Sequence, residues 1–176
     1  MNFAPFGTDI SVDAVEYVKN SLKFNAVQAM FPEFDSKKAF NIEEFDAVTM
    51  WYVIEHFADL NAVLTKVSDL VKKGGVFAFS TPSVSGVSGK FNTKSFFAQS
   101  PSDHFSLWQP ETCAKILKKY GFKVEKIVST GQHPERFPYC KKHNLSSNSF
   151  IYKILAWYSK IAKLGDTFEV YCIKEK

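Results

Sequence analysis

The chain has 176 residues, 45% hydrophobic and 23% charged, which suits one globular domain with a true core and excludes a disordered chain. Its net charge of +4 is spread among interleaved acids, and the basic run from Lys115 to Lys142 is broken by Glu125 and Glu135, so a solvated surface is expected and no nucleic-acid partner. No 18-residue apolar stretch exists to span a membrane, and no apolar run follows a charged N-terminal segment as in a secretory signal.

Strands and helices alternate, the pattern of an α/β, Rossmann-like and mostly parallel sheet with flanking helices. Residues 3–9 read as a short strand ending at Asp9, and Ser11 caps a helix over 12–22 whose Val12, Val15 and Val18 share a face. Asn25–Met30 is a second short apolar run; Phe31–Glu44, with a proline, mixed charge and no period, reads as loop. Phe45–Met50 is the third strand. Asp59–Val71 is an amphipathic helix with Leu60, Val63, Leu64, Val67, Leu70 and Val71 on its apolar face, closed by Lys72, Lys73 and the Gly74-Gly75 pair. Val76–Ser80 is a strand stopped by Pro82.

Ser83–Phe105 is the longest irregular stretch, and residues 83–106 read as a lid loop. Pro110 opens a helix that runs to about Tyr120 and closes at Gly121. Lys123–Thr130 is a strand, Gly131–Ser149 a polar loop, Phe150–Leu164 an additional helix and Thr167–Ile173 the last strand. A single domain over residues 1–176 is expected. Cys113, Cys140 and Cys172 form neither a CxxC pair nor an even set, which points to a reducing, cytoplasmic setting.

Four blocks occur in order: GTDIS (Gly7–Ser11), FDAVTMWYVIEHFADL (Phe45–Leu60), LVKKGGVFAFSTP (Leu70–Pro82) and HFSLWQPETCAKILKKYGFKVEKI (His104–Ile127). Together they resemble the small-molecule branch of class I S-adenosylmethionine-dependent methyltransferases, including ubiquinone-biosynthesis O-methyltransferases. The resemblance covers about residues 3–130 and, more weakly, the final strand. It implies S-adenosylmethionine as cofactor, a small-molecule hydroxyl acceptor and a sheet of order 3-2-1-4-5-7-6.

Asp9 is the first cofactor-binding candidate, with Ile10 beside it. An acid at the carboxyl end of a parallel strand can accept hydrogen bonds from both ribose hydroxyls; the competing role is a turn or N-cap aspartate. Met50, Trp51 and Tyr52 follow a strand end, where open α/β sheets bind ligands, and are candidates for the methionine part of the cofactor. His56 and His104 are the candidate general bases, because methyl transfer to a hydroxyl needs a proton acceptor and an imidazole ordinarily titrates near neutrality. Either histidine could instead only hold its turn. In quinone-type relatives the segment around Glu55 and His56 also supplies acids to a metal ion, but Tyr52 stands where another acid is expected, so no metal is assigned.

Phe91, Phe96, Phe97, Phe105 and Trp108 are candidates for an apolar acceptor pocket or for core. Phe150–Leu164 combines Ile151, Ile154, Leu155, Tyr158 and Ile161 with Lys153, Lys160 and Lys163; it reads as a helix packed on the sheet or a partner subunit, with an interfacial helix as the alternative.

Class I methyltransferases carry an acid and a GxGxG-like turn after their first strand, where glycines let the backbone approach the cofactor. Only eight residues precede Asp9, and they hold no such turn. The chain is therefore expected to be N-terminally truncated relative to the family, to bind cofactor weakly or not at all, and to have a rearranged sheet or one completed by another chain, such as a second copy. A non-catalytic remnant acting as an interaction or assembly domain is the alternative. A nicotinamide-dependent oxidoreductase is a third reading, disfavoured because no tyrosine is followed by lysine four residues on.

Overall fold

The computed structural model describes residues 3–175, which form two compact units, one ending at Phe45 and the other beginning at Asp46. In the first, β1 (Phe6–Asp9) and β2 (Asn25–Gln28) pair in parallel, Phe6 opposite Asn25 and Asp9 opposite Gln28. The crossover between them is α1 (Val12–Asn20). Its start is fixed chemically: Ser11 Oγ accepts from Ala14 N at 3.3 Å, satisfying an otherwise orphaned N–H. Only Val15 of this helix is buried.

The segment Phe31–Glu44 is not all loop. Asp35 Oδ1 accepts from Lys38 N at 2.9 Å and caps the short helix α2 (Ser36–Phe40), which ends at Asn41 in the left-handed region. Five residues are too few to show a helical period, so this helix is silent in a periodicity reading. Phe6, Phe34, Phe40 and Phe45 cluster here, with ring centroids 5.0–5.9 Å apart.

The second unit is built on a four-stranded sheet of β3 (Phe45–Trp51), β4 (Val71–Pro82), β5 (Phe122–Thr130) and β6 (Thr167–Lys174), in the order β3-β4-β6-β5. β6 runs antiparallel to both neighbours, from Val76 opposite Ile173 to Pro82 opposite Thr167 along β4. Within each of the two sheets, β1-β2 and β3-β4-β6-β5, the neighbours are those the implied family order gives once its first strand is left out. The expected rearrangement of β1 onto β3 does not occur: among the described residues β1 pairs with β2 and β3 with β4.

Helix α3 (Leu60–Leu70) begins at Asp59, whose Oδ1 accepts from Ala62 N at 2.9 Å, and buries Val63, Leu64, Val67 and Leu70. Each such side chain contributes about 1.5–3 kcal/mol of burial. Helix α6 (Pro110–Lys118) buries Cys113 and Leu117. The core between them and the sheet holds Phe77, Phe79, Phe122 and Phe168. The glycine pair does not close α3 as expected. The helix stops at Leu70 with Val71 already extended, and Gly74-Gly75 lies inside β4. There Gly74 takes φ +79°, and a Cβ on Gly75 would come within 2.9 Å of the Asp46 carbonyl. Lys72 pairs with Asp46 at 2.7 Å instead of serving the helix end.

Two expected loops contain helices. Ser83–Phe105 holds α4 (Val87–Phe91) and α5 (Thr93–Gln99), and Gly131–Ser149 holds α7 (Pro138–His143). Their anchor is Asp166, 6% exposed, whose carboxylate accepts from Ser88 N at 2.7 Å, Ser88 Oγ at 2.6 Å and the Arg136 guanidinium at 2.6 Å. Beside it Val87, Phe137, Cys140 and Leu164 form a small second core, against which α8 (Phe150–Ile161) packs Tyr152 and Leu155. Among the described residues no helix is long and apolar enough to cross a membrane.

All three cysteines are free and buried. Burial pushes the thiols of Cys113 and Cys172 from 9.0 up to about 12. The native protein at pH 8 is therefore expected to show no fast-reacting thiol with a disulfide reagent, and three after denaturation. Because the unfolded thiols ionise first, their linkage lowers stability as pH rises from about 9 to about 12; a flat denaturation midpoint across that window would contradict it.

Candidate active site

The strand β3 ends in a one-turn 3-10 helix, Ile54–His56, with Ile54 and Glu55 buried. The Glu55 carbonyl accepts two backbone hydrogen bonds, from Phe105 N at 2.8 Å and Ser106 N at 3.3 Å. These pin the segment after α5 to the end of β3, and they bring the two candidate bases together. His56 and His104 meet edge to face with centroids 4.7 Å apart. Asp103 Oδ2 lies 3.1 Å from His56 Nδ1, so a carboxylate can hold that ring's orientation and leave its other nitrogen for chemistry.

Glu55 is 1% exposed, and its Oε2 takes no hydrogen bond from any described residue. Ligand atoms of Glu55, His56 and His104 lie within 4.8 Å of one another, so the three could also converge on a cation. His104 further lines a pocket of about 540 Å³ at the end of β4, together with Pro82, Ser88, Asn92, Phe96 and Arg136. Across it His133 contacts Glu135 at 2.8 Å. Burial opposes ionisation of Glu135, but hydrogen bonds from its own backbone N–H, His133 and Tyr152 together hold its carboxyl below the usual range.

The pocket is more polar than expected. Of the five aromatic candidates only Phe96 lines it. Trp108 is buried against Phe79 at 5.1 Å, Phe91 packs on Phe137 at 5.5 Å, and Phe97 and Phe105 are exposed.

Asp9 sits at the end of β1, exposed, with Oδ1 accepting from Ser11 N at 2.8 Å. It therefore does fill the turn role, while Oδ2 takes no hydrogen bond from any described residue. Ile10 is exposed, and its carbonyl accepts from Gln28 at 3.0 Å. Met50 is buried in the core, whereas Trp51 and Tyr52 are exposed, Trp51 against Tyr171 at 6.3 Å. Asp9 and Ile10 belong to the first unit and the other five candidates to the second. One residue escaped the sequence reading: Asp103, whose signal was its place beside His104; Glu55, named there only within a partial metal motif, proves buried beside both histidines.

A family model for a methyltransferase domain matches residues 2–127. No curated protein matches the chain. Among solved structures, the chain is similar to an S-adenosylmethionine-dependent methyltransferase from Archaeoglobus fulgidus, with a TM-score of 0.61 and 18% identity over 96% of this chain and 75% of that one. It also resembles a chain in the complex between the Haloferax volcanii Trm112 methyltransferase activator and its methyltransferase-like partner, with 0.63 and 15% over 97% and 72%. A third likeness is to Haemonchus contortus phosphoethanolamine N-methyltransferase 2 bound to S-adenosyl-L-methionine, with 0.60 and 18% over 97% of this chain and 43% of that one. At these identities the structures establish the fold.

Tyr52 adopts φ +55°, with its N–H held by the Ser80 carbonyl at 3.0 Å and Oγ at 3.2 Å. A non-glycine residue there costs roughly 1–2 kcal/mol. Since the ring is half exposed, Tyr52→Gly is expected to stabilise the fold by up to about 1 kcal/mol, read as a higher urea midpoint, and Tyr52→Val to lower that midpoint.

Proposed function

This chain belongs to the methyltransferase-domain family of class I, S-adenosylmethionine-dependent proteins, and on that premise we propose that it serves methyl transfer to a hydroxyl of a small polar molecule. The observation that carries the reading is the His56–Asp103 pair beside His104, at the edge of a polar pocket. When bound, S-adenosylmethionine supplies an electrophilic methyl group on its sulfonium centre. The protein's part is placement and proton removal. Asp9 Oδ2 is suited to the ribose, and the exposed rings of Trp51 and Tyr52 offer apolar surface at the end of β3. His56 takes the acceptor proton while Asp103 stabilises the resulting imidazolium, and His104 faces the acceptor pocket. Its polar lining supports an acceptor with hydrogen-bonding groups. Because these 176 residues carry no glycine-rich turn before Asp9, cofactor binding by the chain alone is weak in this reading.

A second reading, a non-catalytic assembly domain, is supported by the edge positions of β1 and β3, since open edges accept strands from other chains. The partnership of the Haloferax volcanii relative with an activator protein is consistent with it.

Release of S-adenosylhomocysteine at millimolar cofactor, with a panel of small hydroxylated acceptors, tests the catalytic reading. His56→Asn is expected to reduce turnover by about 10²–10⁴-fold, and Asp103→Asn by less. EDTA is expected to leave turnover unchanged; its loss would reassign Glu55, His56 and His104 to a cation. No release with any acceptor, joined to stable self-association in sedimentation, would favour the assembly domain. By calorimetry the isolated chain is expected to bind cofactor more weakly than micromolar.

A further inference from the structure

The structure leaves one face of α8 in solvent although its side chains are large and apolar. At 3.6 residues per turn, Phe150, Ile154, Trp157 and Ile161 stack in a single stripe, with Ile151 and Tyr158 along one side. Phe150 is 76% exposed, Trp157 64% and Ile161 61%. The opposite face is satisfied: Tyr152, Leu155 and Ala162 pack on the second core, and Ser159 Oγ donates to Gln132 at 2.6 Å. The helix is therefore docked on the protein by one side and presents hydrophobic surface on the other, more than scattered exposure would produce.

Charge identifies what would cover this face. Lys153 and Lys160 border the stripe on its other side, and Lys163 follows the helix end. From Pro138 to Gly165 there are five lysines and no aspartate or glutamate, although the chain has 18 acids. The same helix of a second copy would bring no acid to these lysines: about a two-fold axis across the helix they would face one another, and about one along it they would lie against Ile151 and Tyr158. An anionic bilayer meets both demands: apolar and aromatic side chains enter the headgroup–acyl boundary, while lysine stems lie along it with their ammonium groups on lipid phosphates.

We propose that α8 is an interfacial helix that seats the second unit on anionic lipid membranes, lying on the bilayer and not crossing it. The proposal does not depend on the methyl-transfer reading, and its test needs neither cofactor nor acceptor. Vesicles of phosphatidylcholine mixed with phosphatidylglycerol are expected to sediment the full chain at low salt, and vesicles of phosphatidylcholine alone to sediment it weakly. Lys153→Gln and Lys160→Gln should each weaken partitioning by about fivefold. Lys115→Gln, on α6, should leave it unchanged.

The double variant Trp157→Ser, Ile161→Ser keeps the net charge and should abolish sedimentation, with a melting temperature at or above the parent's. The blue shift of tryptophan emission on vesicle addition should vanish in Trp157→Phe, which retains binding. Three outcomes would overturn the proposal. One is no sedimentation with anionic vesicles at low salt; another is undiminished sedimentation of the double variant, which would indicate charge attraction alone. The third is a concentration-dependent dimer, without vesicles, that the double variant dissolves, which would give the face to a second copy.

Discussion

The second unit depends on β4 being hydrogen-bonded along both edges, to β3 on one side and β6 on the other. A strand in that position buries both faces, and this one does: Phe77 and Phe79 on one face are fully buried and stack at 5.2 Å, and Ala78 and Ser80 on the other are buried too. Helix α3 covers the sheet because four of its residues share a face. The strand ends at Pro82, where the pocket opens, and Ser80 near that end holds Tyr52 in its left-handed turn. Strand pairing, core and pocket entrance thus share one twelve-residue element.

The candidate site rests on a smaller constraint. A single carbonyl, that of Glu55, accepts from both Phe105 and Ser106. With the His56–Asp103 contact at 3.1 Å, it holds the His104 segment beside the end of β3. The buried side chain of Glu55 adds an oxygen that takes no hydrogen bond from any described residue, an arrangement that costs stability. The base and the cation readings of Glu55, His56 and His104 start from this same convergence, and they differ in whether the imidazoles carry a proton or a metal.

Asp166 plays the corresponding role on the other side of the pocket. It gathers Ser88, 78 residues away, and Arg136, 30 residues away, at one carboxylate. That gathering orders the short helices on which the second core and α8 are built. The surface left over is hydrophobic and basic in one stripe, a combination that neither the sheet nor the second core explains.

The sequence by itself determined the alternation of strands and helices, from local signals: the cap at Ser11, the periodicity of residues 60–70, and apolar runs with defined ends at Asp9 and Pro82. The family was legible in four ordered blocks, and the strand order only as what that resemblance implied; that β1 stays paired with β2 and does not move onto β3 was decided by the tertiary structure. Legible too were His56 and His104 as candidates, since imidazoles near strand ends are few. The tertiary structure alone decided that the two rings touch, that Asp103 joins them, that Met50 is core while Trp51 is open, and that the pocket is polar. It also decided the helices at 36–40, 87–99 and 138–143, because segments of five to seven residues carry no period and take their stability from partners dozens of residues away. The apolar residues of α8 could be counted in advance, but which of them point outward depends on the face that docks, and the second core chooses that face.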